Sequence, residues 1–209
     1  FQEEGFFEYH LYTLDRPSTL KNNQTKQLSL LTPSNVPVTK KLLLARNPYW
    51  YRSQVGTVTQ SEKVAVTLEL TNSAANNLGM PLPKGTVRVY KKDKSGAEQF
   101  VGEDAIDHTP KNEHVRLKLG EAFDVTAEKK QADFKRRDVA TPWSYSSESA
   151  YEITLRNAKK EAATVVVREP VPGDWQMLEQ SQTHAKVAAG TAEWRVRVPA
   201  EGSTTLKYR

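Results

Sequence analysis

The chain has 209 residues, no cysteine, and a formal net charge of +5 from 30 basic and 25 acidic residues. The lack of cysteine excludes a disulfide framework, a zinc–thiolate site and a thiol nucleophile. The positive charge is mild, so it permits contact with polyanions without indicating that function. No apolar run approaches the roughly 20 residues that span a bilayer, and we therefore expect no membrane span.

The first part of the chain reads as strands separated by turns. Alternating or β-rich stretches predict strands over residues 6–14, 25–32, 36–45 and 64–71, and the first of these is strongly aromatic. In the last of them the apolar side chains are expected to face inward, while Thr67 faces outward.

The middle of the chain predicts a β-hairpin and a pair of further strands. Residues 86–91 and 99–103 flank a Lys-Asp-Lys-Ser-Gly tip, which is typical of a hairpin loop. Residues 115–119 and 122–128 follow as strands around a glycine. Residues 129–145 either continue the second strand or form a linker.

Residues 151–209 alternate between apolar and polar side chains, and Gly and Pro interrupt the alternation. A period of two with such turns indicates an antiparallel, all-β sandwich. We predict an N-terminal β domain over residues 1–140 and an immunoglobulin-like unit over residues 147–209. Because about 60 residues are few for a full sandwich, the second unit is expected to be minimal or to share strands with the first.

Three long stretches resemble a known bacterial family, the domain of unknown function 4139, which is also the C-terminal part of mucoidy-inhibitor-like proteins. They are FEYHLYTLDRPSTLKNNQTKQLSLL (7–31), LPKGTVRVYKKDKSGAEQFVGEDAIDHTPKNEHVRLKLGEAFDVTAEKKQADF (82–134) and YEITLRNAKKEAATVVVREPVPGDWQMLEQS (151–181). The resemblance implies an all-β domain in proteins that usually carry an export signal. It implies no agreed activity and no catalytic residues.

The densest group of carboxylates and imidazoles lies at residues 103–114 and includes Asp104, Asp107, His108 and His114. Such side chains can hold a divalent metal or act as acid and base. Their spacing matches neither a calcium loop nor a zincin helix, so a strand connection with turn-capping side chains is the more ordinary interpretation.

The sequence shows no Gly-x-Ser-x-Gly turn and no Gly-rich phosphate loop. We therefore assign no catalytic residue, no metal ligand and no cofactor, and we expect a protein that is not an enzyme. A hydrolase of envelope polymers, or a metal-dependent enzyme using residues 103–114, is the alternative.

Three consecutive aromatic residues, Tyr49, Trp50 and Tyr51, follow Pro48 and precede Arg52. Exposed aromatic rings beside an arginine suit sugar rings or a protein partner, so these three are the candidate binding residues. The alternative is that Tyr49 and Tyr51 close one end of a sandwich and only Trp50 meets solvent.

Basic residues at 129–130 and 135–137 form a patch that acidic neighbours dilute. Nucleic-acid binding requires more charge with interleaved aromatic rings, and so we predict a solvated linker and no nucleic-acid partner.

Together these observations predict a periplasmic or secreted β-sandwich module that binds a protein or polysaccharide partner. The first residue is Phe, so a mature or trimmed product is expected, with any signal peptide upstream.

Overall fold

The computed structural model describes residues 2–26, 28, 30–31, 33–45, 51, 53–55, 59–138 and 145–209. Within these ranges the chain forms twelve strands and a short 3-10 turn at Ala74–Asn76, which confirms the all-β class. No helix in the described ranges is long and apolar enough to cross a membrane. The strands are β1 (Gln2–Phe6), β2 (Tyr9–Thr13), β3 (Thr39–Ala45), β4 (Gln60–Thr71), β5 (Gly85–Lys92), β6 (Glu98–Ile106), β7 (His114–Asp138), β8 (Tyr145–Asn157), β9 (Ala163–Pro170), β10 (Ala185–Ala188), β11 (Thr191–Val198) and β12 (Gly202–Tyr208).

Eight strands join in one sheet in the order β10-β11-β9-β3-β4-β7-β8-β12, and β1–β2 and β5–β6 form separate two-stranded sheets. Strand β3 runs parallel to β9, with Leu42 opposite Val165. The β11–β9, β7–β8 and β8–β12 pairs are antiparallel.

The chain divides into two compact units, Phe1–Thr39 with Leu68–Leu117 (unit 1) and Lys40–Thr67 with Lys118–Arg209 (unit 2). This division differs from the predicted one at residues 141–146. Strands β7 and β8 flank that segment, yet the second half of β7, from Val125 to Asp138, pairs with the whole of β8 within the large sheet. Residues 129–138 are therefore strand, and they belong to the same unit as the C-terminal strands.

The core of unit 2 follows from the period-two pattern of its strands. On β8 alternate residues are buried, as in the run Tyr151, Ile153 and Leu155, while β9 and β11 each also bury three consecutive residues. Strands β11 and β12 lie near opposite ends of the sheet order, yet their side chains pack together. The ring of Trp194 on β11 stacks on that of Tyr208 on β12, with 4.8 Å between the centroids.

The aromatic N-terminal stretch, predicted as one strand over residues 6–14, is instead the hairpin β1–β2 in unit 1. Phe7 occupies the turn with φ at 59°, and Phe6 pairs with Tyr9 across it. Phe7 is 96% exposed. The predicted strand over residues 25–32 is absent among the described residues of that stretch.

Asn72 holds the loop that follows β4 in unit 1. Its fully buried side chain donates to the carbonyl oxygens of Met80 and Pro110 and accepts from the Gly79 amide. Gly79 has φ at +105°, and a Cβ there would lie 2.7 Å from the backbone nitrogen of Ala74. Only glycine fits this close turn.

The predicted hairpin in the middle of the chain is confirmed as β5–β6, with Gly85 opposite Ile106. Asp93 organises its tip, because one carboxylate oxygen accepts from the Ser95 amide at 2.8 Å and the Ser95 hydroxyl at 2.6 Å. The other oxygen accepts from the Gln99 amide group at 3.0 Å.

These hydrogen bonds, led by that of the Ser95 hydroxyl, lower the pKa of Asp93 from 3.8 to about 2. We expect a carboxyl titration followed by nuclear magnetic resonance to show a midpoint near that value. The Ser95→Ala variant should move the midpoint upward, while the control Thr86→Ala should not. Because the folded pKa is lowered, the stabilisation is present above the unfolded pKa of about 3.9 and is lost as the pH falls through about 2. An unshifted midpoint would contradict this geometry.

Candidate functional site

The inward-facing side of the unit 2 sheet changes from apolar to polar toward one end. On β7 the buried residues run from Val125 and Ala127 to Lys129 and Gln131, at the spacing that places them on one face. On β9, Glu169 follows two buried valines at the same spacing. Polar groups so placed are stable only with partners, because water cannot reach them.

The central partners are Lys129 and Glu169, which form a buried ion pair. The Lys129 Nζ lies 2.9 Å from each carboxylate oxygen of Glu169, and the two side chains are 3% and 1% exposed. This placement corrects the expectation that residues 129–130 are part of a solvated basic linker. Lys129 points into the core because it occupies the inward register of β7, whereas Lys130 occupies the opposite one.

Three tyrosines surround the ion pair, and we call them the tyrosine cluster. The Lys129 Nζ lies 4.2 Å from the ring centroid of Tyr151, 5.4 Å from that of Tyr51 and 5.6 Å from that of Tyr208. The negative faces of the rings attract the ammonium group. Together with Glu169 they compensate a charge that burial would otherwise make very costly.

Hydrogen bonds complete the tyrosine cluster. The Tyr51 hydroxyl donates to Glu169 Oε2 at 2.7 Å and lies 3.2 Å from the Tyr208 hydroxyl. The Gln131 side chain donates to the Tyr151 hydroxyl at 3.1 Å and accepts from the amide of Val55 at 2.7 Å. Tyr51 and Val55 are thereby fixed to the end of the core.

Burial raises the pKa of the Tyr51 and Tyr208 hydroxyls well above 10, and the negative charge of Glu169 raises both further. The neutral phenols are therefore favoured in the folded state. Because the folded pKa is raised, their contribution to stability is fully present below the unfolded pKa of about 10 and is lost as the pH rises above it.

An alkaline spectrophotometric titration tests this. We expect the phenols of Tyr51 and Tyr208 to ionise only as the protein unfolds, and the Tyr208→Phe variant to have one fewer such group. If both groups ionise near pH 10 while the circular dichroism of the fold persists, the proposed burial of these hydroxyls is wrong.

A pocket of about 480 Å³ borders the tyrosine cluster. It is lined by residues 146–149 at the start of β8, by residues 171–178 after β9, and by Tyr51, Tyr208 and Arg209. Its volume lies in the range of small-molecule and short-oligomer sites. Hydroxyl groups come mainly from the β8 segment, and apolar surface comes mainly from the segment after β9.

The lining is held firmly by neighbouring strands. Leu178 donates its amide to the carbonyl of Arg209 at 2.8 Å, and Ser181 donates to that of Lys207 at 2.8 Å. The Trp175 indole nitrogen donates to the Ala189 carbonyl at 2.9 Å. The segment after β9 is therefore hydrogen-bonded to the end of β12 and to Ala189, the residue that follows β10.

Two buried side-chain atoms have no hydrogen-bond partner among the described residues, and both belong to residues that line the pocket. They are the hydroxyl oxygen of Ser149 and the Nε of Arg209. The Arg209 Nη1 is engaged with Asp133 at 3.1 Å and Glu148 at 3.8 Å. Both atoms have almost no solvent-accessible surface, so neither is an open hydrogen-bonding group of the pocket wall.

Of the predicted binding residues, Tyr51 is described, and it lies in the tyrosine cluster and on the pocket lining. Its ring packs edge-to-face on Tyr151 at 5.2 Å between centroids. Tyr49 and Trp50 lie outside the described residues, and their role in binding stays a prediction.

The structure does not bring the side chains at residues 103–114 together around a pocket. Asp107 caps the His108 amide at 2.9 Å and lies 3.8 Å from the Lys84 ammonium, and its pKa is lowered by these groups. His114 contacts the Thr71 hydroxyl at 3.0 Å. In the described part of the chain, no three His, Asp or Glu side chains are grouped as metal ligands. The cluster thus has the geometry of a turn-capping connection.

Comparisons of this chain with protein-family models, with curated proteins and with solved structures find no match. The site is therefore interpreted from its own geometry. The resemblance to the domain of unknown function 4139 stays a prediction from the sequence.

Proposed function

We propose that this chain is a non-enzymatic binding module of the bacterial cell envelope, or a secreted one, that binds a protein or polysaccharide partner. The observation that supports this most is the pocket of unit 2, which combines polar and aromatic side chains with a lining that is hydrogen-bonded to neighbouring strands. Such pockets, rather than the fold itself, carry function in β-sandwich scaffolds.

An exported location and family membership are parts of the same proposal. They are supported by the resemblance of residues 7–31, 82–134 and 151–181 to the domain of unknown function 4139. The upstream gene sequence tests the location. A signal peptide ahead of residue 1 is expected, and an initiator methionine directly before it would argue against export.

An immunoglobulin-like arrangement of unit 2 is also proposed. The antiparallel β8–β12 pair and the buried Trp194 at the centre of the core support it. An experimental structure without Greek-key connections in this unit would contradict the arrangement.

Binding is tested with isotope-labelled protein and an envelope extract separated into protein and polysaccharide fractions. We expect at least one fraction to shift the amide resonances of residues 146–149 and 171–178. The Ser146→Trp variant fills the pocket from an exposed position and should abolish the shifts. The matched control Ser203→Trp carries the same change at an exposed position of β12 outside the pocket lining.

The proposal fails if no fraction shifts these resonances. It also fails if Ser146→Trp binds as well as Ser203→Trp does, because the bound molecule would then occupy another surface.

A further inference from the structure

The β1–β2 hairpin of unit 1 presents an apolar face to solvent. Phe6 pairs with Tyr9 across the two strands, and Leu11 lies two residues further along the same face. Phe6 is 66% exposed, Tyr9 is 75% exposed and Leu11 is 46% exposed. The opposite face is anchored, because the Tyr12 hydroxyl donates to the Pro81 carbonyl at 2.8 Å. The apolar face is therefore held in place and turned outward.

The turn of this hairpin adds a fourth apolar side chain in a strained conformation. Phe7 is 96% exposed and has φ at 59°. A bulky side chain rarely adopts this left-handed conformation, and glycine would adopt it without strain. Phe6, Phe7, Tyr9 and Leu11 together form what we call the hairpin patch. Exposed apolar patches of this kind mark interaction surfaces.

The charge of the hairpin restricts what can cover the patch. Residues 1–14 contain three glutamates and neither lysine nor arginine, although the whole chain has a net charge of +5. Glu4 and Glu8 are exposed beside the patch. They would repel an anionic lipid surface. A protein surface that combines aromatic rings with positive charge is complementary to this hairpin.

Strand β5 of the same unit has these properties. Its sequence contains Arg88, Lys91 and Lys92 and no acidic residue. The exposed rings of Tyr90 and Phe100 pack edge-to-face at 5.7 Å between centroids. In the part of the chain that the structure describes, β5 and β6 form a sheet of two strands, so β5 has a free edge. Free edges can pair with a strand from another molecule.

The lysines of β5 discriminate between the strands that could pair with it. Lysine on an edge strand ordinarily prevents that strand from pairing with another copy of itself. An acidic strand has the opposite effect, because opposite charges on adjacent strands attract. Strand β1 has the sequence QEEGF, with two glutamates and no basic residue. Among the described residues it pairs with β2 alone, so it too has a free edge.

From these features we propose that unit 1 binds a second copy of this chain, with the β1–β2 hairpin of one copy lying along β5 of the other. The glutamates of the hairpin then face Lys91 and Lys92, and the hairpin patch meets Tyr90 and Phe100. Two-stranded sheets are marginally stable alone, and pairing would join two of them into a larger sheet. This inference concerns a surface of unit 1 and does not depend on the unit 2 pocket.

The first test is sedimentation equilibrium of the whole chain, from about 1 µM to about 1 mM protein, the range of weak and transient association. We expect assemblies larger than the monomer at low salt. Raising the salt to about 0.5 M should weaken the association about tenfold, because it screens the exposed charges. A chain that stays monomeric over the whole range at low salt overturns the inference.

Charge reversal on each surface identifies the contacts. One double variant carries Glu4→Lys and Glu8→Lys, and the other carries Lys91→Glu and Lys92→Glu. All four positions are exposed. Each variant alone should associate at least about tenfold more weakly than the wild type, because like charges then face each other. An equimolar mixture of the two should associate again, since the reversed surfaces are complementary to one another. Failure of the mixture to associate contradicts the proposed pairing.

Two controls match these changes. The variant with Glu161→Lys and Glu201→Lys alters the net charge as the first double variant does, at exposed positions of unit 2, and should associate as the wild type does. Phe7→Gly relieves the turn but removes its ring, and it should weaken association several-fold. Phe123→Ala removes an equally exposed ring, 94% exposed and on β7, and should have no effect.

Amide resonances check the fold of every variant and locate the association. Residues 4–11 and 88–92 are expected to shift as the wild-type concentration rises. Equal weakening by the Glu161 and Glu201 control would show that only net charge matters, and the inference would be wrong. It would also be wrong if the protein stays monomeric and neutral lipid vesicles shift residues 4–11 instead. Neither result changes the binding test of the unit 2 pocket.

Discussion

Replacing Lys129 with methionine is expected to lower the free energy of unfolding by about 3–5 kcal/mol, because it leaves the buried carboxylate of Glu169 without its countercharge. Glu169 is 1% exposed and retains only the Tyr51 hydroxyl among the partners described above. The measurement is equilibrium unfolding in denaturant, read by tryptophan fluorescence.

Two further variants distinguish the effect of breaking the ion pair from the effect of losing a lysine side chain. The control Lys130→Met removes the same charge one residue away on the opposite face of β7, and it should change stability by no more than about 0.5 kcal/mol. The double variant Lys129→Met with Glu169→Gln removes both charges, keeps an acceptor for Tyr51, and should recover most of the loss. Equal effects of the two lysine variants would show that the buried pair does not exist.

The Trp194→Ala variant is expected to lose about 3–5 kcal/mol of stability, because it removes the largest fully buried side chain among the described residues of unit 2. Its ring stacks on Tyr208 at 4.8 Å, and its indole nitrogen donates to the Gln182 carbonyl at 3.0 Å. Deletion leaves a cavity that the surrounding strands cannot fill. Thermal and denaturant unfolding both measure the loss.

Trp194→Phe should lose less, since it keeps a stacked ring and gives up mainly the bond to Gln182. As a control, Phe123→Ala removes an aromatic ring that is 94% exposed and should change stability by no more than about 0.5 kcal/mol. If Trp194→Ala proves as mild as Phe123→Ala, the core of unit 2 has been placed wrongly.

The C-terminal strands could be predicted from the sequence because each buries one face. Strict alternation requires a strand whose opposite sides meet core and solvent, so β8, β9, β11 and β12 fall on the stretches where the pattern is clean. Strand β10 was missed, because all four of its residues are exposed and carry no such pattern.

The N-terminal part was harder for a physical reason. The turn at Phe7 uses a positive φ without Gly or Asn, so no turn signal marks the hairpin β1–β2. Thr67, predicted to face outward, is 2% exposed, and its hydroxyl donates to the Lys41 carbonyl at 3.4 Å. A hydrogen bond to a neighbouring strand makes the burial of a polar residue possible. The pattern of residues around Thr67 does not predict that bond.

The site lay beyond local sequence analysis for a similar reason. Lys129 and Glu169 are 40 residues apart and meet only because β7 and β9 face the same core. A weak signal was present, since Glu169 continues the inward register of Val165 and Val167. The serines and loop residues of the pocket form no motif in the sequence. They become neighbours only in the folded sheet.

The parallel pairing of β3 with β9 has a consequence for biosynthesis. Leu42 and its neighbours bond to Val165 and its neighbours, so about 120 residues must be made between the two strands. At roughly 5–20 residues per second, β3 waits on the order of 6–25 s for this partner. During that interval a run of three leucines presents an unpaired edge, which is a template for aggregation.

Ribosome-stalled chains ending before β9 are expected to be protease-sensitive at β3, and chains extending well past it are expected to be protected. The order in which the strands leave the ribosome thus sets how long each new molecule depends on protection by other factors.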